Sequence, residues 1–151
     1  MLPVPGAGSN AGDRAGGGGT QAFLRDLQDA SVRMKCDAML SNGARLAERL
    51  LSFPLPIITA CSGHAVAMGI FLLVATDYRI GVQGGSKFAA NEVAIGMTVP
   101  HFAIRVLRQR LTPQQLNKAV NFAYYFSTEE ALQAGIIDEL VQPSELVGIA
   151  R

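Results

Sequence analysis

Apolar residues recur at mostly helical spacing between residues 21 and 51, a pattern typical of helices that bury one face. A break in the spacing near Asp37 predicts two helices in this region. Pro54 and Pro56 follow, and because proline lacks a backbone donor, we expect the helical region to end before them. The pattern consists of Phe23, Leu24, Leu27, Val32, Met34, Met39, Leu40, Leu46, Leu50 and Leu51.

The centre of the chain alternates short apolar runs with glycine. Residues 57–61, Ile-Ile-Thr-Ala-Cys, form a β-branched run that predicts a buried strand, which Gly63 ends. Residues 68–75 are apolar on every side, as in a helix that is buried all round. Residues 77–82 then predict a second strand, followed by a turn at the glycine pair 84–85.

Two helix start signals mark the C-terminal half. Thr112, Pro113 and Gln115 predict an N-cap, a proline in the first helical position and a capping-box glutamine. Ser127 and Glu130 repeat the capping pattern. We therefore expect a helix after each cap.

Two further signals complete this half, because Pro100 predicts a helix through residue 110 and Gly135 predicts a helix end. Alternating strands and helices indicate the α/β class. Residues 1–20 are dominated by glycine and cannot recover their ordering entropy by burial, so we expect a disordered tail there and one domain over residues 21–151. The glycines at 16–19 lack the flanking strand and Gly-Lys-Ser/Thr of a phosphate loop, which favours a linker.

Composition excludes several classes of function. The 151 residues carry 13 Lys and Arg against 12 Asp and Glu, so the chain lacks the basic excess of a nucleic-acid or anionic-membrane partner. No apolar run approaches the roughly 20 residues of a membrane span, and no signal peptide pattern opens the chain, which predicts a cytoplasmic protein. Cys36 and Cys61 lack metal-ligand spacing, so we expect reduced core thiols and no metal site.

Several motifs occur in one order between residues 46 and 146. Residues 56–69, PIITACSGHAVAMG, are similar to a pattern of proline, strand and G-x-A-x-G-G-G, and residues 77–80 match D-x-R-I. Residues 87–96, KFAANEVAIG, are similar to F-x-x-P-E-V/I followed by L-G, and residues 127–141 to A-x-x-x-G-L-V-x-x-V. In this combination the chain resembles the crotonase (enoyl-CoA hydratase/isomerase) superfamily.

The resemblance implies a partial crotonase-like β-β-α spiral of the ClpP/crotonase type, truncated at both ends relative to the family. The family's opening strands and C-terminal trimerisation helices have no match, so we expect strand 57–61 to expose an edge and the chain to self-associate. A trimer-type homo-oligomer is implied if those parts are present. The implied partner is an acyl-CoA thioester, with no nucleic acid and no membrane. Coenzyme A is then part of the substrate, and no cofactor is expected.

The resemblance also implies an oxyanion hole. An acyl-CoA that reacts at its α or β carbon develops enolate charge on the thioester oxygen, which backbone N–H groups at a helix start stabilise. By family position, the N–H of Met68 supplies one donor, and Ala11, in a faint match to the family's A-G-x-D loop, supplies the other. The alternative is that the small residues from Gly63 to Gly69 only permit close packing of strand and helix.

Glu92 matches the family's catalytic glutamate. It lies in the apolar stretch 88–95, where burial would raise the pKa of its carboxyl group toward a range useful for proton transfer. Without the resemblance, a solvated charge at a strand end would be the more common role. The resemblance assigns substrate contacts to Ala65, Ala67, Gly69, Phe71 and Asn91.

Departures from the family leave two functions open. Phe71 occupies the position of the hydratases' second glutamate and cannot hold or activate water, and Asn91 stands where proline is usual. His64 and His101 show no Ser-His-Asp ordering and are interpreted as loop or packing residues. The first function is an acyl-CoA hydratase or isomerase with Glu92 as its single acid/base. The alternative is an inactive fragment or pseudoenzyme that acts only by association.

Overall fold

The computed structural model describes residues 29–150 and divides the chain into two units, Met1–Met39 and Leu40–Arg151. The predicted tail of residues 1–20, and Ala11 within it, lie outside the described residues. Only residues 29–39 of the first unit are described, and they contribute the start of one helix. The second unit holds every other helix and strand of the described part.

That helix, α1 (Ala30–Leu51), runs unbroken through Asp37, so the prediction of two helices is wrong for the described residues. Irregular apolar spacing changes which face of a helix is apolar, whereas ending the backbone needs proline or a left-handed cap. Neither occurs between Asp29 and Pro54. Asp29 begins the helix, since its Oδ1 accepts a 2.7 Å hydrogen bond from the N–H of Ser31. The predicted end before Pro54 is confirmed.

Five short strands form two parallel sheets within residues 29–150, which confirms the α/β class. A three-stranded sheet has the order β1-β3-β5, and β2 pairs with β4 in a second sheet. β1 therefore lies at an edge of its sheet. The strands are β1 (Ile58–Cys61), β2 (Ala65–Val66), β3 (Tyr78–Val82), β4 (Phe88–Ala89) and β5 (Glu139–Val141).

The remaining helices connect and cover these strands. Beyond α1 they are α2 (Met68–Val74), α3 (His101–Arg108), α4 (Pro113–Asn121), α5 (Thr128–Ala134) and α6 (Leu146–Ile149), with a 3-10 helix at Val93–Ile95. Helix α2 lies in the crossover connection that the parallel strands β1 and β3 require. Its buried residues are Ile70, Phe71, Leu73 and Val74, but Gly69 is exposed, so the expectation of burial all round is wrong for one face.

The predicted caps are mostly confirmed. Ser127 and Glu130 form the complete capping box, and Gly135 ends α5 in the left-handed region with a φ of 79°. Thr112 caps α4 by accepting a 3.3 Å hydrogen bond from the N–H of Gln115. The reciprocal bond predicted for Gln115 is not formed, since its Oε1 has no partner among the described residues. A neutral amide gains less from such a bond than the carboxylate of Glu130.

The D-x-R-I motif joins the strands of the larger sheet. Asp77 Oδ2 accepts a 2.9 Å hydrogen bond from the N–H of Ile57, before β1. Arg79 is only 2% exposed, and its Nη2 lies 2.6 Å from Asp138 Oδ1, before β5. Asp138 Oδ2 also accepts from the N–H of Arg79 at 2.8 Å. A buried guanidinium needs a carboxylate of this kind, because an unpaired charge would be strongly destabilising.

Candidate active site

The second sheet brings two loops of the predicted site to one edge. β2 and β4 are parallel, with Ala65 opposite Phe88 and Val66 opposite Ala89. The ladder continues one step further, because the N–H of Ala67 donates to the carbonyl of Ala89 at 2.9 Å. Met68 follows β2 and Glu92 follows β4, so both leave the carboxyl ends of paired strands. In α/β proteins, ligands bind at that end of a parallel sheet.

The backbone turns sharply before Met68. Ala67 has a φ of 52° and a ψ of −122°, a conformation that residues with a Cβ rarely adopt and that costs about 1–3 kcal/mol. Helix α2 begins immediately afterwards, and its first closing bond runs from the N–H of Ile70 to the carbonyl of Ala67 at 3.2 Å. The N–H of Met68 meets no acceptor in the described part of the chain. It is therefore available to a negatively charged oxygen.

The side chain of Met68 lies against a glycine of α1. A Cβ added to Gly43 would come within 2.8 Å of Met68 Sδ, and closer still to its Cε. Only the missing side chain of Gly43 leaves room for this methionine. Sequence reasoning missed the pair, although an isolated glycine in a helical pattern is a signal for close packing.

Glu92 is held firmly by its own backbone. Its carbonyl accepts hydrogen bonds from the N–H groups of Ile95 at 3.1 Å and Met97 at 2.9 Å. The return of the chain to make the second bond depends on Gly96, which has a φ of 78°. The residue is 6% exposed, and its Oε2 has no partner among the described residues. Burial without a partner raises the pKa of the Glu92 carboxyl group above its ordinary value, as predicted.

The residues with predicted substrate contacts occupy different surroundings. Ala65 is buried in β2, Ala67 is half-buried, and Gly69 is exposed. Asn91 is half-buried, and its Oδ1, like Glu92 Oε2, lacks a partner in the described part. Phe71 is different.

The ring of Phe71 belongs to the hydrophobic core. It is 1% exposed and packs edge-on against Phe102, with ring centroids 6.1 Å apart. A glutamate at this position would need a partner or a proton, whereas phenylalanine is stabilised by burial and by the aromatic contact. Contact of Phe71 with a substrate stays a prediction.

A groove of about 470 Å³ runs beside the start of α2, and it is lined in part by Cys61, His64, Ala65, Gly69 and Leu72 but by neither Met68 nor Glu92. It includes two of the predicted substrate contacts, Ala65 and Gly69. Burial raises the pKa of the Cys61 thiol, whose S–H donates to the carbonyl of Gly63 at 3.3 Å, so this free thiol is a poor nucleophile.

Other features of the described residues lie outside this site. A larger groove of about 770 Å³ between α1 and α3 is lined by neither Met68 nor Glu92. Within residues 29–150, no cluster of three His, Cys, Asp or Glu side chains has a metal-binding arrangement. No helix of that part is long and apolar enough to span a bilayer.

The comparisons with known proteins all indicate the same family. A family model described as enoyl-CoA hydratase/isomerase matches residues 15–151. A carnitinyl-CoA dehydratase of Salmonella enteritidis is 32% identical over 89% of this chain and 52% of its own length. A probable enoyl-CoA hydratase, echA17, of Mycobacterium avium is 30% identical over 84% of this chain and 48% of its own. The chain thus spans about half the length of the curated relatives it matches.

Solved structures agree with this result. A probable enoyl-CoA hydratase, EchA3, of Mycobacterium tuberculosis is 44% identical with a TM-score of 0.76, over 84% of this chain and 53% of the other. A second structure of the same protein, described there as an enoyl-CoA isomerase, is 45% identical with a TM-score of 0.74, over 83% of this chain and 54% of the other. The chain therefore has part of the crotonase fold.

Proposed function

Since the chain belongs to the enoyl-CoA hydratase/isomerase family, we propose that it processes an acyl-CoA thioester. Glu92 acts as the acid/base, and the N–H of Met68 donates to the thioester oxygen. The observation that carries the proposal is the placement of these two groups after paired parallel strands, with the N–H of Met68 and Oε2 of Glu92 both unpartnered in the described part of the chain.

The electrostatics of the two groups support this chemistry. Removing a proton beside a thioester carbonyl moves negative charge onto its oxygen, and a fixed N–H stabilises that charge without reorganising. A carboxyl group whose pKa is raised by burial takes and returns protons closer to neutral pH than an ordinary glutamate. The reaction needs no cofactor, because the enolate is stabilised by the protein backbone.

We infer that shifting a double bond is favoured over adding water. Glu92 is the only buried carboxyl group among the described residues, and Phe71, at the position of the second family glutamate, is packed in the core. Hydration needs one group to activate water and another to manage a proton at the neighbouring carbon. Isomerisation needs one group, which removes a proton from one carbon and returns a proton to another.

The test combines Glu92→Gln with product analysis in isotopically labelled water. Loss of a general acid/base should lower turnover of an enoyl-CoA about 10²- to 10⁴-fold. Glu48→Gln is the matched control, because it makes the same chemical change at an exposed residue of α1. Isomerisation leaves solvent oxygen out of the product, whereas hydration inserts it. Full activity of Glu92→Gln, or 3-hydroxyacyl-CoA as the main product, would contradict the proposal.

A second candidate is a non-catalytic chain that associates with longer family members. It is favoured by the edge position of β1, whose outer side pairs with no strand among the described residues. Assembly into trimer-type homo-oligomers likewise stays a prediction.

Calorimetry separates the two candidates. The enzyme should bind an acyl-CoA more tightly than the free acyl acid, because only the thioester offers its oxygen to the N–H of Met68 together with the coenzyme A contacts. Equal or absent thioester binding at millimolar concentration, together with a stable complex with a full-length relative, would favour association.

A further inference from the structure

The ladder that joins the two halves of the proposed site is very short. β2 and β4 contain two residues each. Two backbone bonds mark its ends: the N–H of Ala65 donates to the carbonyl of Lys87 at 3.0 Å, and the N–H of Ala67 donates to the carbonyl of Ala89 at 2.9 Å. A pairing this short is weakly specified in its register, and its register decides where Met68 and Glu92 stand relative to each other.

A side chain replaces one backbone hydrogen bond that is missing from the ladder. In a regular parallel ladder, the N–H of Lys87 would donate to the carbonyl of Gly63, two residues before Ala65. That carbonyl instead accepts the S–H of Cys61 at 3.3 Å. The N–H of Lys87 donates to Nδ1 of His64 at 3.0 Å. The imidazole thus replaces the carbonyl of Gly63 as the acceptor at the start of the ladder.

This bond requires one tautomer of the histidine. Nδ1 can accept only when it carries no proton, so the bond is made by the tautomer whose proton is on Nε2. If Nδ1 carried a proton, its N–H would face the N–H of Lys87, and the hydrogen bond between them would be lost.

On its other side, β4 is already fixed. The N–H of Phe88 donates to the carbonyl of Phe126 at 3.1 Å, and the N–H of Phe126 returns a 2.9 Å bond to the carbonyl of Phe88. The position of β4 is therefore independent of His64. What the imidazole secures is the placement of β2, and with it Met68, against this fixed strand.

We propose that His64 is a positioning residue, which locks the register between the segment that leads to Met68 and the segment that leads to Glu92. Its effect on turnover rests on the proposed function, but its effect on the ladder does not. In this proposal His64 acts through the backbone, by its bond to the N–H of Lys87, and needs no contact with a reacting atom.

Three variants of the full chain distinguish the effect of the hydrogen-bond acceptor of His64 from the effect of its ring. His64→Asn keeps an acceptor, since Oδ1 is bonded to Cγ as Nδ1 is in histidine. His64→Phe keeps a flat ring without an acceptor, and His64→Ala removes both. Amide hydrogen exchange is followed at Lys87 and Ala67, nitrogen NMR of the imidazole identifies the tautomer, and turnover is measured per folded chain.

Loss of one hydrogen bond should speed exchange at the Lys87 amide about twofold to tenfold in the Phe and Ala variants, with smaller acceleration at Ala67. His64→Asn should retain protection. A small misplacement of catalytic groups costs up to about 100-fold, so kcat should fall by about 10-fold or more in the Phe variant, with less change in KM, and Asn should restore it.

Equal exchange at Lys87 in the wild-type and Phe chains, or an Asn variant that behaves like Phe, would overturn the proposal. A proton found on Nδ1 would do so as well. If the wild-type chain turns over no enoyl-CoA, the proposed function fails, while exchange and the tautomer still decide on His64. If the wild-type chain is active and the Phe variant matches it, the positioning role fails and the proposed function stands.

Discussion

The contact between Gly43 and Met68 allows a sharp test of how the proposed oxyanion donor is held. Gly43→Ala adds one methyl group at a point where Met68 Sδ would be 2.8 Å away. Alanine in a helix interior is favoured over glycine by about 1 kcal/mol. Overpacking typically costs about 1–3 kcal/mol, with the lower end expected here because the clashing atoms are the flexible tip of the methionine. We therefore expect Gly43→Ala to change stability by between about 0 and 2 kcal/mol, in the destabilising direction.

Removing the methionine tip should reverse the sign of that effect. In a Met68→Ala background the added methyl group meets no thioether, so only the helix propensity remains and Gly43→Ala should stabilise by about 1 kcal/mol. The coupling energy between the two sites is then about 1–3 kcal/mol. Urea unfolding of the wild type, both single variants and the double variant measures it directly.

A matched control exists at the other end of the chain. Gly148 lies in α6, and a Cβ added there would meet nothing within 4 Å. Gly148→Ala should therefore be neutral or stabilising by up to about 1 kcal/mol in both Met68 backgrounds. If Gly43→Ala stabilises the wild type as much as the Met68→Ala chain, the methionine does not rest on Gly43 and the reasoning is refuted.

Three more outcomes follow from the described contacts. Burial raises the pKa of the Glu92 carboxyl group in the native state, so the stability that this residue contributes is fully present below the unfolded-state pKa and is lost as the pH rises through the native pKa. Glu92→Gln should therefore gain stability relative to the wild type from acidic to neutral pH. Parallel curves of unfolding free energy against pH would contradict this. Ala67→Gly should stabilise by about 0.5–2 kcal/mol in urea unfolding, since glycine adopts a φ of 52° without a clash, and a loss of stability would count against strain there. The wild type should elute above monomer size in a concentration-dependent way, and Ile58→Lys on edge strand β1 should reduce this; a sharp monomer peak at every wild-type concentration would rule it out.

Local signals in the sequence predicted local structure well. The end of α1 before Pro54, the capping box of Ser127 and the left-handed Gly135 all depend on residues within one or two turns of each other. The order of apolar runs was enough for the α/β class. The error at Asp37 has the same origin, because spacing reports which face of a helix is buried and says little about whether the backbone continues.

Contacts between distant segments were not predictable in this way. β2 and β4 are too short to leave a periodic pattern, and nothing local assigns an acceptor for Lys87 to the ring of His64. The burial of Glu92 was inferred correctly from its apolar neighbours. The lack of a hydrogen-bond partner for its Oε2 was not predictable, because it depends on which donors the other elements of the fold bring near the carboxyl group. Resemblance to a family located the candidate residues, and only the fold related their positions.

Three unusual features occur around one short segment: backbone strain, a missing side chain and a side-chain hydrogen-bond acceptor. Ala67 turns the chain at a φ of 52°, Gly43 leaves room for Met68, and His64 replaces the carbonyl of Gly63. Each feature is unfavourable or unusual by itself, since strain, a helical glycine and an interrupted ladder all reduce stability. Together they fix the direction of the N–H of Met68, which, like other N–H groups in the first turn of a helix, has no acceptor in the described part of the chain. In the proposed function, this fixed direction is what lets the N–H meet the thioester oxygen without reorganising.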